Sequence, residues 1–279
     1  MIRILVDSSS DYRQKEAEEK GMLFVPIRVM LSGEQYRDGI DIEKDRFYEL
    51  LQESGEFPLT SQPSPQEFLD IFREMKERGD EVICILLSSR LSGTYQSALL
   101  GKQMSEHEGV YLVDSCAVAC PIRILTEYAL SLVKEGLSAE EIVSRLEEAK
   151  SRTRVIAMID TLEYLRRGGR IGGAAAALGN IAQLKPILTL NQEGEIQVLG
   201  KALGKNKAIG MILKELEAAP VDEKFPVYSL YTYGTENCGH FEERLKKENI
   251  PVQERLQVGL GIGAHIGTGA FGIAYVAEK

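Results

Sequence analysis

Apolar runs closed by polar turns alternate with amphipathic stretches through the first half of the chain. Residues 2–6 form an apolar run that ends on Asp7-Ser8-Ser9-Ser10-Asp11, the pattern of a buried strand feeding a turn. A charged helix over 12–20 stops at Gly21, a second apolar run spans 24–31, and Ser32-Gly33-Glu34 marks a hairpin turn. Residues 41–54 place Phe47, Leu50, Leu51 and Ser54 on one helical face. Ser64, Pro65 and Glu67 have the spacing of an N-cap, a first helical proline and a capping-box partner, for a helix running to about Arg78 and ended by Gly79-Asp80. Strand 81–87, a hydroxyl-rich loop over 88–94, a helix from about residue 94, strand 110–113 and a helix over 117–135 follow. Ser138-Ala139-Glu140-Glu141 opens one more helix with a second capping box. Such alternation implies parallel strands joined by right-handed crossovers, hence an open, mostly parallel α/β sheet.

The second half has another rhythm. Strand 155–159 leads into a helix starting at 162–165, and then the chain becomes rich in Gly and Ala over 168–179. Strands 187–190 and 195–199 flank Asn191-Gln192-Glu193-Gly194, a hairpin loop. Helix 205–218, strand 227–233, helix 235–248, strand 252–257 and strand 273–276 complete the order. Hairpins mixed with helices indicate an α+β layer with a mixed or antiparallel sheet. The expected fold class is therefore α/β, with an N-terminal α/β domain over 1–153 and a C-terminal α+β domain over 154–279.

Composition narrows the partners. With 33 Lys+Arg against 42 Asp+Glu, the net charge of −9 argues against a nucleic acid or an anionic membrane surface, which require clustered basic residues. Apolar runs fall far short of the roughly 20 residues of a membrane span, and the N-terminus reads as a strand rather than a leader. Four cysteines without a regular framework fit a reducing interior, so the expected location is cytoplasmic. Eleven of the 26 glycines fall in two stretches, 168–179 and 259–272, where backbone must bend or something must come close.

Candidate chemistry gathers in a few places. In an open α/β sheet ligands sit outside the carboxyl ends of the strands. There lie residues 7–11, the loop Ser88-Ser89-Arg90-Leu91-Ser92-Gly93-Thr94, and Asp114-Ser115. A hydroxyl-rich loop opening a helix suits an anion, although its Ser and Thr residues equally serve as helix caps. It contains neither a P-loop nor a dinucleotide fingerprint. Thr60-Ser61-Gln62-Pro63 is a second hydroxyl cluster, and with Ser64 taking the cap, Ser61 is left without an evident structural task. Of the three histidines, His107 reads as surface, and His240 beside Cys238 lacks further ligands at zinc spacing. His265 lies among Gly259, Gly261, Gly263, Gly267 and Gly269, where a ligand could come close, though a buried histidine bonded to a carbonyl is the plain alternative. Arg166, Arg167 and Arg170 surround a Gly-Gly break and suit either an anionic partner or the end of the preceding helix. Ser61 or Ser92 with His265 could form part of a serine-type hydrolase or acyl transferase, but no G-x-S-x-G elbow is present. Cys116 and Cys120 lack the spacing of a redox couple.

In order, Val6-Asp7-Ser8, Thr60-Ser61-Gln62-Pro63-Ser64, residues 88–98, Val113-Asp114-Ser115, residues 162–171, Lys185-Pro186-Ile187-Leu188 and the glycine-rich segment around His265 resemble the DegV family of bacterial fatty-acid-binding proteins over essentially the full chain. The resemblance implies two α/β domains that hold a long-chain fatty acid, with its carboxylate gripped by hydroxyls and a histidine and its tail in an apolar tunnel of the C-terminal part. On the matching positions it implies Ser61, Ser92 and the Gly93 amide at the head group, Thr60 and Thr94 in support, and His265 completing the carboxylate site. It further implies a non-catalytic protein, without cofactor or metal, that presents the acid to a separate ATP-dependent fatty acid kinase for phospholipid synthesis. Arg166, Arg167 and Arg170 fall in the segment associated with that partner. One departure is Leu203, where relatives commonly carry arginine; here only Lys201, Lys205 and Lys207 are basic nearby. Thr268 also stands at a position often held by proline, a change expected to be tolerated.

Overall fold

In a computed structural model, residues 1–177 and 184–279 are described; the end of the Gly/Ala stretch expected over 168–179 lies outside them. The chain order begins β1 (Ile2–Asp7), α1 (Gln14–Glu19), β2 (Leu23–Val25), β3 (Arg28–Leu31), β4 (Glu34–Arg37), α2 (Lys44–Ser54) and β5 (Leu59–Ser61). It continues α3 (Pro65–Arg78), β6 (Glu81–Leu86), α4 (Thr94–Ser105), β7 (Val110–Asp114), α5 (Cys120–Lys134) and α6 (Ala139–Lys150). After these come β8 (Thr153–Met158), α7 (Glu163–Arg167), β9 (Leu184–Leu190), β10 (Ile196–Leu203), α8 (Lys205–Ala218) and β11 (Tyr228–Tyr231). Last are α9 (Glu236–Lys247), β12 (Glu254–Gln257), α10 (Leu260–Ile266) and β13 (Phe271–Val276).

The first sheet has the order β2-β1-β6-β7 and is parallel throughout, as the alternation of strands and helices requires. Residues 82–86 of its central strand β6 are all buried, because helices cover both faces. The second sheet, β10-β9-β8-β13-β11-β12, is antiparallel except for the β11–β12 pair. Both capping boxes form, at Ser64 with Glu67 and at Ser138 with Glu141, and they fix where α3 and α6 begin.

The apolar run over 24–31 divides between two sheets. Pro26 cannot donate to a ladder, so the chain leaves the first sheet after Val25 and enters a third at Arg28. This third sheet, β4-β3-β5, is antiparallel. Its β3–β4 turn sits at Ser32 and Gly33, with φ of 52° and 81°, the left-handed pair that a tight hairpin uses. Val29 and Leu31 pack on Phe47, Tyr48 and Leu51 of α2 and on Leu260 and Ala264 of α10. The small sheet thereby brings β5, which carries Thr60 and Ser61, up to the glycine-rich segment of the second half.

The sequence patterns assigned no element to that segment; residues 260–266 form the helix α10, with glycines 259, 261 and 263 turned toward close neighbours. His107 is also less exposed than expected: it is half-buried, and its Nε2 lies 2.8 Å from the Asp80 carbonyl oxygen.

Candidate functional site

His265 stands in the last turn of α10, facing β5, where Thr60 pairs with Val29 and Ser61 with Arg28 in the small sheet. Its Nε2 is 2.8 Å from Thr60 Oγ1. The other ring nitrogen, Nδ1, is buried and has no protein partner. It rests against Gly168, where any side chain would collide with the ring. Beyond Gly168 lies Arg170, whose Nε donates to the Leu91 carbonyl (3.1 Å) and whose Nη1 donates to the Gly168 carbonyl (2.6 Å). Burial, with the nearby Arg170 charge as a lesser cause, lowers the His265 pKa to about 4. The imidazole is therefore neutral at pH 7, with a buried nitrogen whose desolvation nothing offsets.

A cavity of about 80 Å³ adjoins this group. Its polar wall consists of Thr60, Ser61, Gln62, Ser92, Arg170 and His265, and its apolar wall includes Ile27, Leu87, Leu165, Ile196, Ile262 and Ile266. A second, open and more polar cleft lies outside, bordered by Ser89, Arg90, Gly93 and Gln96. Leu91, Ser92, Arg170 and Ile196 line both spaces, so the cavity and the surface cleft adjoin at these four residues.

The expected site residues thus fall into distinct places. Thr60, Ser61, Ser92 and His265 share the cavity. Thr94 is fully buried behind Ser92, with their hydroxyl oxygens 2.9 Å apart, and its N–H donates to Ser92 Oγ at 3.3 Å. Ser92 therefore meets one N–H at the start of α4, but the N-cap position itself is Gly93, which makes no side-chain cap. Gly93 lines the outer cleft, covered on its Cα by the Gln62 side chain. The three arginines separate. Arg166 and Arg167 are exposed and both pair with Glu163, and the Arg167 guanidinium stacks 4.7 Å above the Phe57 ring. Arg170 instead sits in the cavity wall. Sequence reasoning missed its position, because a Gly-Gly break hides where the chain turns, and also missed Gln62, which showed only as part of a polar turn. A hydrolase triad is not assembled: Nε2 of His265 meets Thr60 rather than Ser61 or Ser92, and no carboxylate meets Nδ1.

Beneath α10 lies a second polar layer, in which Asp11, Asp38 and Tyr48 are buried and Lys44 is half-buried. The Asp38 carboxylate accepts the Leu260 N–H on Oδ1 and the Gly261 N–H on Oδ2, each at 2.9 Å. Asp11 Oδ1 accepts the Gly259 N–H at 2.8 Å. Lys44 Nζ donates to the backbone carbonyls of Asp11 (3.0 Å) and Gln257 (2.6 Å), and Tyr48 Oη donates to that of Val258 (3.0 Å). Asp11 and Asp38 are 3% and 1% exposed, and burial pushes both carboxyls above their usual range, against the opposing pull of Lys44 and the N–H donors. The sequence gives no local sign of Asp38, since its partners are more than two hundred residues away.

Among the described residues, no group of three or more His, Cys, Asp or Glu is placed to hold a metal ion. None of the described helices is long and apolar enough to cross a membrane.

Comparison with known proteins identifies the family and the fold. A model of the uncharacterised DegV family COG1307 matches residues 1–278. A DegV domain-containing protein of Caldanaerobacter subterraneus subsp. tengcongensis is 37% identical over 276 residues, covering 98% of each chain. A DegV family protein from Thermus thermophilus, described as fatty acid binding, superposes with a TM-score of 0.88 at 37% identity over 99% of each chain. The Streptococcus pneumoniae fatty acid kinase B3 protein, loaded with linoleic acid, shares the fold at 19% identity, with a TM-score of 0.85 over 100% of each chain. With residues 1–278 matched by the family model and its fold shared by these structures, this chain belongs to the DegV family.

Proposed function

We propose that this protein binds a long-chain fatty acid and presents its carboxylate to a separate ATP-dependent kinase, with no catalysis of its own. The observation that carries the reading is His265: a half-buried, neutral ring whose buried Nδ1 is unpaired, beside Thr60, Ser61 and Ser92 in a cavity whose remaining walls are mostly apolar. A carboxylate taken out of water needs hydrogen-bond donors, and these hydroxyls, the ring and Arg170 supply them. The fatty acid binding described for the Thermus relative supports the ligand class.

In this reading the unit 1–153 contributes Thr60, Ser61 and Ser92, with Thr94 and Gly93 holding the loop, and the unit 154–279 contributes His265 and Arg170. The tail then runs along Leu165, Ile196, Ile262 and Ile266. At about 0.8 kcal/mol per buried methylene, a tail of roughly 14 gains on the order of 11 kcal/mol before ordering costs. Sub-micromolar affinity survives those costs, and the tail dominates it. The wall shared by the two spaces, at Leu91, Ser92, Arg170 and Ile196, gives a phosphoryl donor in the outer cleft a short path to the head group. Arg166 and Arg167, exposed beside that region, are the proposed partner contacts, and Leu203 is 53% exposed where a basic contact would otherwise stand. The four free cysteines are consistent with a cytoplasmic setting.

Native mass spectrometry of protein purified from cells, followed by delipidation and titration with palmitic acid, tests the proposal. A co-purifying fatty acid and stoichiometric uptake are expected. A clean apo mass with no uptake overturns it. A burst with an activated ester and a covalent serine adduct would instead establish the acyl-transfer alternative.

A further inference from the structure

The N-terminus of α10 has no cap of its own. Gly259, at the N-cap position, offers no side chain, so the first N–H groups of this helix would be orphaned inside the protein. Their partners come from the other end of the chain. Asp38 takes the N–H groups of Leu260 and Gly261, Asp11 takes that of Gly259, and Lys44 ties the Asp11 backbone to Gln257, just before the helix. The glycines fit this arrangement. A Cβ on Gly259 would lie 3.0 Å from Asp38 Oδ2, and one on Gly261 would lie 3.1 Å from the same atom and 3.2 Å from Ile27 Cγ2. One on Gly263 would strike the Tyr48 hydroxyl. The small residues are thus the clearance that lets buried carboxylates reach the helix backbone.

We propose that Asp38, with Asp11 and Lys44, positions His265: the pair of carboxylates fixes the start of α10, and the seven-residue helix transmits that placement to the imidazole at its other end. The proposal rests on the reading of His265 as a carboxylate-binding group, although the placement itself is a property of the free protein. Bidentate acceptance by Asp38 fixes both the height and the rotation of the first turn, which one acceptor atom would not. A short helix has little freedom to absorb an error at one end before it reaches the other. Rotation of α10 would carry Nε2 away from Thr60 Oγ1 and turn Nδ1 off Gly168.

Asp38→Asn is the direct test, because it keeps the shape while replacing one acceptor with a donor that faces an N–H. Two measurements are made: the His265 ring resonances of ligand-free protein by NMR, and palmitate affinity by titration calorimetry. Ser138→Ala, which removes the cap of the distant α6, serves as a destabilised control. The expected result is a moved His265 signal and about a tenfold loss of palmitate affinity in Asp38→Asn, with neither change in the control. A folded Asp38→Asn variant with wild-type ring resonances overturns the proposal. If that variant does not fold, Lys44→Met, at a half-buried site, decides: a smaller shift in the same sense supports positioning, and none overturns it. Moved ring resonances with unchanged palmitate affinity leave the positioning role standing and refute the assignment of His265 to the head group.

Discussion

Gly168→Ala displaces the imidazole without replacing it. Gly168 has φ −74° and ψ −7°, a right-handed helical conformation open to alanine, so the substitution carries no backbone penalty. Its Cβ, however, would overlap His265 Nδ1, come within 2.7 Å of Cε1, and lie 3.2 Å from the Tyr164 carbonyl oxygen. The ring must move, and its hydrogen bond to Thr60 is lost with it. Overpacking costs about 1–3 kcal/mol and the lost bond about 1 kcal/mol, offset by about 0.4–1 kcal/mol from a stiffer unfolded chain. A net destabilisation of roughly 1–3 kcal/mol is expected from urea unfolding. Loss of a hydrogen bond to a charged head group adds about 1.5–3 kcal/mol, or roughly a 10- to 100-fold weaker palmitate affinity by calorimetry. Gly210→Ala provides the contrast: its Cβ meets nothing within 4 Å in α8, so stability should rise slightly and affinity stay constant. Palmitate binding within twofold of wild type in Gly168→Ala would refute the use of His265 at the head group.

Arg170→Ala should weaken palmitate binding, because the guanidinium lines the cavity, whereas Arg166→Ala with Arg167→Ala should leave binding intact and reduce only kinase-dependent acyl-phosphate formation. Equal loss of both activities in the double variant would place that pair in the pocket as well. Binding should also be linked to protons. The ring pKa is about 4 in the free protein, so a carboxylate beside it should raise that value by about 1–3 units. Palmitate affinity should then strengthen as pH falls from 7 toward 5, with proton uptake seen as a dependence of binding enthalpy on the buffer's ionisation enthalpy. Uptake-free binding across that window would argue that the carboxylate lies away from the ring. In the absence of ligand the sign reverses: the unfolded ring takes a proton below about 6.5 while the folded one resists until about 4, so this group's contribution to stability is lost between those values. Ser64→Ala should cost about 1 kcal/mol of stability in thermal or urea unfolding without altering binding.

Local patterns carried the fold a long way. Capping boxes at Ser64 and Ser138, glycine stops and strand–helix alternation each have a cause within a few residues, and those elements stand where the patterns put them. The failures share another cause. β5 is only three residues long and exists because β3 pairs with it, so Thr60 and Ser61 read as a turn until Val29 and Arg28 are placed opposite them. α10 has two glycines and two β-branched isoleucines among its seven residues, which lower its intrinsic propensity, and it is held by carboxylates more than two hundred residues away. Hydroxyls and a histidine could be nominated from residue type, but the separation of Arg170 from Arg166 and Arg167 depends on a turn at Gly168 and Gly169 that no periodicity reveals.

The two ends of the proposed ligand meet different kinds of wall. At the head, Thr60 is fixed by sheet pairing and His265 by a helix locked through Asp38 and Asp11, so the donors are set before anything binds. At the tail, a cavity of about 80 Å³ has room for only two or three waters, and a long acyl chain enters only as the apolar side chains around it part. Close-packed interiors resist such parting in proportion to what must be displaced, while each methylene admitted returns about 0.8 kcal/mol. Chain-length preference therefore follows from where the cost of moving the next side chain exceeds the gain from the next methylene. Substitutions at Leu165, Ile196 or Ile262 should shift which acids are retained, whereas substitutions at Thr60 or His265 should weaken all of them alike.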